Sequence, residues 1–113
     1  MAKEYDLTEY LKTYHRGELA AVTSWELETI FRIRGPDLRR EVNRLRADAV
    51  PICSCDHGYY YADTEEELRH TVNQLRSRIR MIAQAERGLT KALDKFTDSG
   101  QLSLLLEGGD PLE

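Results

Sequence analysis

The sequence predicts a mainly α protein with a small β-hairpin and a long C-terminal helix. Three observations lead there. Apolar residues recur at helical spacing through most of the chain. Pairs of the form Ser/Thr/Asp-x-x-Glu, which mark helix starts, occur at Asp6/Glu9, Thr23/Glu26 and Thr64/Glu67. One stretch only, "ICSCDHGYYYA", alternates about a Gly-containing turn as two paired strands do.

The spacing predicts four helices, over about 6–14, 23–31, 36–48 and 64–95. The first buries Leu7, Tyr10, Leu11 and Tyr14. A short extended piece near Ala20–Val22 separates it from the second, which buries Leu27, Ile30 and Phe31. "FRIRGPD" supplies a tight turn, with Pro36 suited to a first helical position because its missing N–H costs nothing there. The third helix carries a clean stripe, Leu38, Val42 and Leu45, while its other faces are nearly all arginine and asparagine. Strands near 52–55 and 59–62 follow, and alternation sets Tyr59 and Tyr61 on one face and Tyr60 on the other. Trp25, at the start of the second helix, is expected to pack.

That order, helix, extended piece, helix, turn, helix, hairpin, is the plan of a winged helix-turn-helix. The stretch "TSWELETIFRIRGPDLRREVNRLRADAVPICSCDHGYYYA" resembles the DNA-binding domain of the biotin repressor. It is closer still to small winged-helix proteins of phages and prophages, which share such a wing followed by a long arginine-rich helix. The resemblance covers roughly residues 5 to 93 and implies non-enzymatic binding of double-stranded DNA. It implies that Arg40 and Asn43 face bases and that Arg34, Arg39 and Arg44 face phosphates. The wing tip, Asp56-His57-Gly58, would then lie over the adjacent groove or backbone. Arginine and asparagine suit this role, since Arg pairs bidentately with guanine and Asn with adenine. The alternative is an interaction adaptor whose winged helix binds a protein, the arginines only solubilising a helix that Asp37 and Glu41 partly neutralise. Ala49 stands where such domains often place the glycine that ends the recognition helix, so a left-handed cap is not expected there.

From Leu68 the apolar positions run Leu68, Val72, Leu75, Ile79, Ile82, Leu89 and Leu93, spaced four and three alternately, with Glu86 breaking the series. The first three are expected to pack on the preceding domain. Ile79, Ile82, Leu89 and Leu93 then call for another apolar surface. A second copy of the chain in a homodimer is the preferred one, which would suit a two-fold DNA site. The N-terminal helix is the other.

The chain organises as residues 1–63, a winged helix-turn-helix domain, residues 64–97, the heptad-patterned helix, and residues 98–113, an acidic tail. "GQLSLLLEGG" in that tail is apolar between breakers at Ser99-Gly100 and Gly108-Gly109. "QLSLLL" resembles the bacterial sliding-clamp-binding motif through Gln101, Leu102, Ser103, Leu104 and Leu105. The resemblance implies that Gln101 enters a small subsite and that Leu104 and Leu105 enter a deep apolar one. The alternative is that these leucines cover the chain's own core or a dimer partner.

Charge is uneven. Residues 32 to 48 hold six arginines against three carboxylates, a net +3 inside a chain of −4. Distribution matters more than the total for a phosphate-binding face. No apolar run reaches the ~20 residues of a membrane span, and "MAKEYDLTEY" lacks a signal-peptide core, so the cytoplasm is the expected location. Cys53 and Cys55 are too close in sequence to staple a fold. With His57 they alternate along one strand, but a closed zinc site needs a fourth ligand that nothing supplies, so no metal and no cofactor are expected. No Walker loop, nucleophile elbow or paired-carboxylate motif occurs, and an enzyme is not expected.

Overall fold

The computed structural model describes the backbone of residues 3 to 97 and the side chains of residues 7 to 96. It is mainly helical with one small hairpin. In order come α1 (Lys3–Tyr14), a single 3₁₀ turn (Glu18–Ala20), α2 (Ser24–Phe31), α3 (Gly35–Ala47), β1 (Ile52–Cys55), β2 (Gly58–Tyr61) and α4 (Glu65–Thr97). Two compact units result, Met1–Gln74 and Leu75–Glu113, so the first turns of α4 belong with the first unit. Among the described residues no helix is long and apolar enough to cross a membrane.

The core of the first unit is the set the periodicity selects. Leu7 and Leu11 of α1, Leu27 of α2, and Leu38, Val42 and Leu45 of α3 close on Val22 and Ile52. Tyr10 and Phe31 pack against this cluster from outside and meet edge to face, their ring centroids 5.6 Å apart. Three apolar expectations are corrected. Tyr14 is exposed, its ring tilted against that of Tyr10 at 5.2 Å. Ile30 is 45% exposed, and Leu27 is the buried residue of α2. Trp25 is 70% exposed and does not pack as a core residue.

The hairpin pairs Ile52 with Tyr61, Cys53 with Tyr60, Ser54 with Tyr59 and Cys55 with Gly58. Tyr60 and Cys53 are buried, and Tyr59 and Tyr61 sit half-buried on the other face, as alternation requires. Burial, with the Cys53 thiol beside it, pushes the Tyr60 phenol well above its ordinary pKa. The far edge of β2 is also paired. Val22 and Tyr59 exchange two backbone hydrogen bonds of 2.8 Å, and Tyr61 donates to His15 and accepts from Gly17 at the same distance. The extended piece expected near Ala20–Val22 is thus the bridge at Val22, preceded by the 3₁₀ turn.

Helix ends show which start signals operate. Thr23 caps α2, its hydroxyl accepting from the Glu26 N–H at 3.1 Å. Asp6 does not cap α1, since that helix begins at Lys3. Thr64 and Glu67 form a full capping box: the Glu67 N–H donates to the Thr64 hydroxyl, and the Glu67 carboxylate accepts from the Thr64 N–H. The same carboxylate reaches two more backbone donors, Asp63 at 2.8 Å and Glu18 at 2.9 Å, so it ties the start of α4 to the 3₁₀ turn. These donors, Glu18 first, hold the Glu67 carboxyl below its ordinary value of 4.5. A depressed carboxyl stabilises the fold above the unfolded value, and that contribution fades as pH falls through the folded one. The first unit is therefore expected to lose stability on acidification below about pH 4.5, and Glu67→Gln to flatten that slope. Thermal melts of both proteins across pH check it. A wild-type slope retained in Glu67→Gln would show that other carboxylates carry it.

Among the described residues, two adopt left-handed backbone without being glycine, Arg32 (φ 55) and Ala49 (φ 69). Both end helices. After α3, Val50 donates to the Leu45 carbonyl and Ala49 to that of Arg46, each at 3.0 Å, which is the Schellman closure. The left-handed cap is therefore present despite the alanine, correcting the expectation. The strain costs on the order of 1 kcal/mol, so Ala49→Gly is expected to raise the midpoint of thermal unfolding by a few degrees. An unchanged or lowered midpoint would contradict the cap.

The inward residue on the first turns of α4 is Thr71, not an apolar one. Thr71 is buried and its hydroxyl accepts from the Ser54 N–H at 3.4 Å, while the Cys53 thiol donates to the Glu67 carbonyl at 3.6 Å. Leu68 and Val72, expected to pack here, both remain 36% exposed. The helix meets the polar edge of β1, which a hydroxyl can satisfy and a leucine cannot.

Candidate nucleic-acid interface

Because Leu38, Val42 and Leu45 hold one face of α3 inward, Arg39, Arg40, Asn43 and Arg44 are turned outward. Arg34 precedes them at the N-cap with extended backbone. Arg34 and Arg40 have 80% and 71% of their side-chain surface exposed. The hairpin presents Asp56 and His57 at its exposed tip.

The arginines are not bare. Asp37 sits between two of them, bonded to Arg40 and 3.5 Å from the Arg34 Nε. Partial desolvation raises the Asp37 carboxyl. The Arg40 hydrogen bond and the charges of Arg34 and Arg40 outweigh this and leave it below its ordinary value. Arg44 bonds Glu41 at 3.1 Å and Asp48 at 3.2 Å. Arg39 and Glu28 both bring their charged ends close to Gly35. A Cβ placed on Gly35 would lie 3.5 Å from the Arg39 guanidinium and 3.3 Å from the Glu28 carboxylate. Among the described residues, the side chains of Asn43 and His57 form no hydrogen bond or ion pair.

Arg46 belongs to the basic run but not to this face. It donates to the Ile52 carbonyl at 2.8 Å and to the Ser54 hydroxyl at 3.2 Å, and so straps α3 to β1. Arg16, which sequence reasoning passed over, bonds Asp63 at 3.2 Å and lies over the Tyr61 ring at 5.6 Å. Nothing in its local sequence signals this.

Beside α3 lies a cleft of about 270 Å³, floored by Leu7, Phe31 and Ile33 and rimmed by Asp37, Arg40 and Glu41. Among the described residues no group of His, Cys, Asp or Glu could hold a metal ion. Cys53 is buried and Cys55 half-buried on β1, while His57 lies in the exposed turn beyond the strand.

On α4, Ile79 and Ile82 are each 64% exposed and Leu89 is 72% exposed, whereas Leu93 is half-buried. The tail positions Gln101, Leu102, Leu104 and Leu105 lie outside the described residues.

Comparison of the chain with protein-family models, curated proteins and solved structures finds no match.

Proposed function

We propose that the chain is a non-enzymatic, cytoplasmic DNA-binding protein of the phage or prophage winged-helix type. It reads double-stranded DNA with α3, works as a homodimer through α4, and acts in replication, recombination or transcription control. The observation that carries this reading is the outward strip of α3, where Arg39, Arg40, Asn43 and Arg44 stand beside a preceding Arg34 with the His57 tip following. The carboxylates beside these arginines do not defeat it. Exposed ion pairs of this kind are worth about 0–1 kcal/mol, so a phosphate or a guanine edge can take over the guanidinium.

A tether to the replication sliding clamp through Gln101, Leu102, Leu104 and Leu105 is part of the proposal, supported by the motif alone. The second reading is a protein-interaction adaptor. What favours it is that Arg34, Arg40 and Arg44 each already face a carboxylate beside an apolar cleft.

A duplex-binding titration at two salt concentrations separates the two readings. A dimer making about six phosphate contacts loses roughly a thousandfold in affinity between about 50 and 200 mM salt. Absence of duplex binding even at the lower salt would leave the adaptor. The same preparation run over immobilised clamp tests the tether, and equal retention after Gln101→Ala with Leu104→Ala would remove it.

A further inference from the structure

We propose that the second half of α4 pairs with the same segment of a second copy in antiparallel, about a two-fold axis at Gln84. The inference rests on the self-association proposed above and supplies its direction. The seam of α4 continues through Ile79, Ile82, Leu89 and Leu93 at alternating three- and four-residue steps, but the position between Ile82 and Leu89 is Glu86. Among the described residues the Glu86 carboxylate accepts only from the Thr90 hydroxyl, at 3.1 Å, and has no cation beside it.

Two helices can cover this seam in two ways. In a parallel pair identical positions share a layer, so the two Glu86 carboxylates would meet across an otherwise apolar contact. Their flanking neighbours in that layer, Ala85 and Thr90, carry no charge to offset the repulsion. An antiparallel pair centred on Gln84 removes the conflict. Ile79 then lies opposite the partner's Leu89 and Glu86 opposite the partner's Ile82. The two carboxylates are displaced by about 6 Å along the axis, and each comes within about one turn of the partner's Arg78. Arg78 has no ion pair of its own among the described residues.

The flanks fit the same centre. Ala83 and Ala85 stand on either side of the seam, and an axis at Gln84 sets each against its own copy. Methyl groups on both sides at the crossing let the helix backbones approach closely. The occupant is a second copy of this chain, because in that arrangement the unpaired Glu86 of each copy meets the partner's unpaired Arg78 while the small flanking residues let the helices cross closely.

The test uses the full chain without DNA. Sedimentation is expected to show a dimer, and Ile79→Asp with Ile82→Asp a monomer of unchanged helical content, since both side chains are exposed in the single chain. Direction is read from spin-label distances. Ser77, Gln84 and Lys91 all lie on the outer side of α4, away from the seam. Single labels through Ser77→Cys, Gln84→Cys or Lys91→Cys, each with Cys53→Ala and Cys55→Ser, report one intermolecular distance apiece. The antiparallel pair gives the shortest distance at position 84. At positions 77 and 91 it gives equal and longer ones, because about 21 Å of axial separation is added there. Three equal distances would mean a parallel pair and would overturn the inference while leaving the dimer. A monomer at the highest soluble concentration would overturn both, and a dimer surviving the double aspartate variant would overturn the seam.

Discussion

Gly58→Ala is expected to unfold the first unit or bring it close to unfolding. A Cβ at this position would lie 1.9 Å from the Val22 carbonyl oxygen, 2.5 Å from its carbon and 2.9 Å from the Thr23 Cα. All three are backbone atoms, so no rotamer change relieves the overlap. The backbone itself, at φ 128, is a conformation that side chains rarely adopt. Either β2 moves away from Val22, breaking the paired 2.8 Å hydrogen bonds, or Val22 leaves the core. Strain and overpacking together should cost on the order of 3–5 kcal/mol, against a total stability of about 5–15 kcal/mol for an ordinary domain. Urea denaturation checks this, with His57→Ala as the neighbouring control expected to stay within about 0.5 kcal/mol of wild type. A Gly58→Ala protein melting with the wild type would mean that Val22 and Tyr59 are not partners in solution.

The second large effect is on duplex binding. Arg40→Ala with Arg44→Ala is expected to abolish it, because each lost base or phosphate contact costs about 1–3 kcal/mol and a dimer loses both contacts twice. Asp37→Asn should act in the opposite direction. Asp37 occupies Arg40 and lies beside Arg34, so removing its charge frees two guanidinium groups at once and deletes a carboxylate that would repel phosphate. Tighter binding in Asp37→Asn together with loss in the double alanine variant is the pattern of a helix that exchanges internal ion pairs for DNA. Affinity unchanged in the double variant would exclude α3 as the reading element. The double alanine variant alters exposed side chains of α3, and Asp37→Asn removes only ion pairs worth about 0–1 kcal/mol, so both unfolding midpoints should stay close to wild type.

Much of the frame was legible because it depends on periodicity and on local chemistry. The Leu38–Val42–Leu45 stripe points inward as its spacing requires, the tyrosines of β2 alternate, and Thr64 with Glu67 make the expected capping box. What escaped was decided by contacts distant in sequence. Glu67 reaches back to Glu18, Thr71 replaces Leu68 and Val72 at the edge of β1, and Arg46 is diverted from the basic face to the strand. Ala49 shows a tertiary demand overriding a local preference, since the chain must turn sharply into β1 whatever residue stands there. At the candidate interface, the spacing of Asp37 from Arg40 and of Glu41 from Arg44 was readable. Whether carboxylates would hold those arginines was not, because an exposed i,i+3 pair gains too little to be dictated by sequence alone.

The strap from Arg46 and the hydroxyl of Thr71 have one more effect. A two-stranded ribbon normally offers its outer rim as a template on which another chain can add a strand. Here the Ile52 carbonyl is taken by Arg46, the Ile52 N–H by Val50 and the Ser54 N–H by Thr71, while the opposite rim is consumed by Val22, His15 and Gly17. With these groups already taken, strand addition and edge-to-edge stacking are disfavoured on this hairpin.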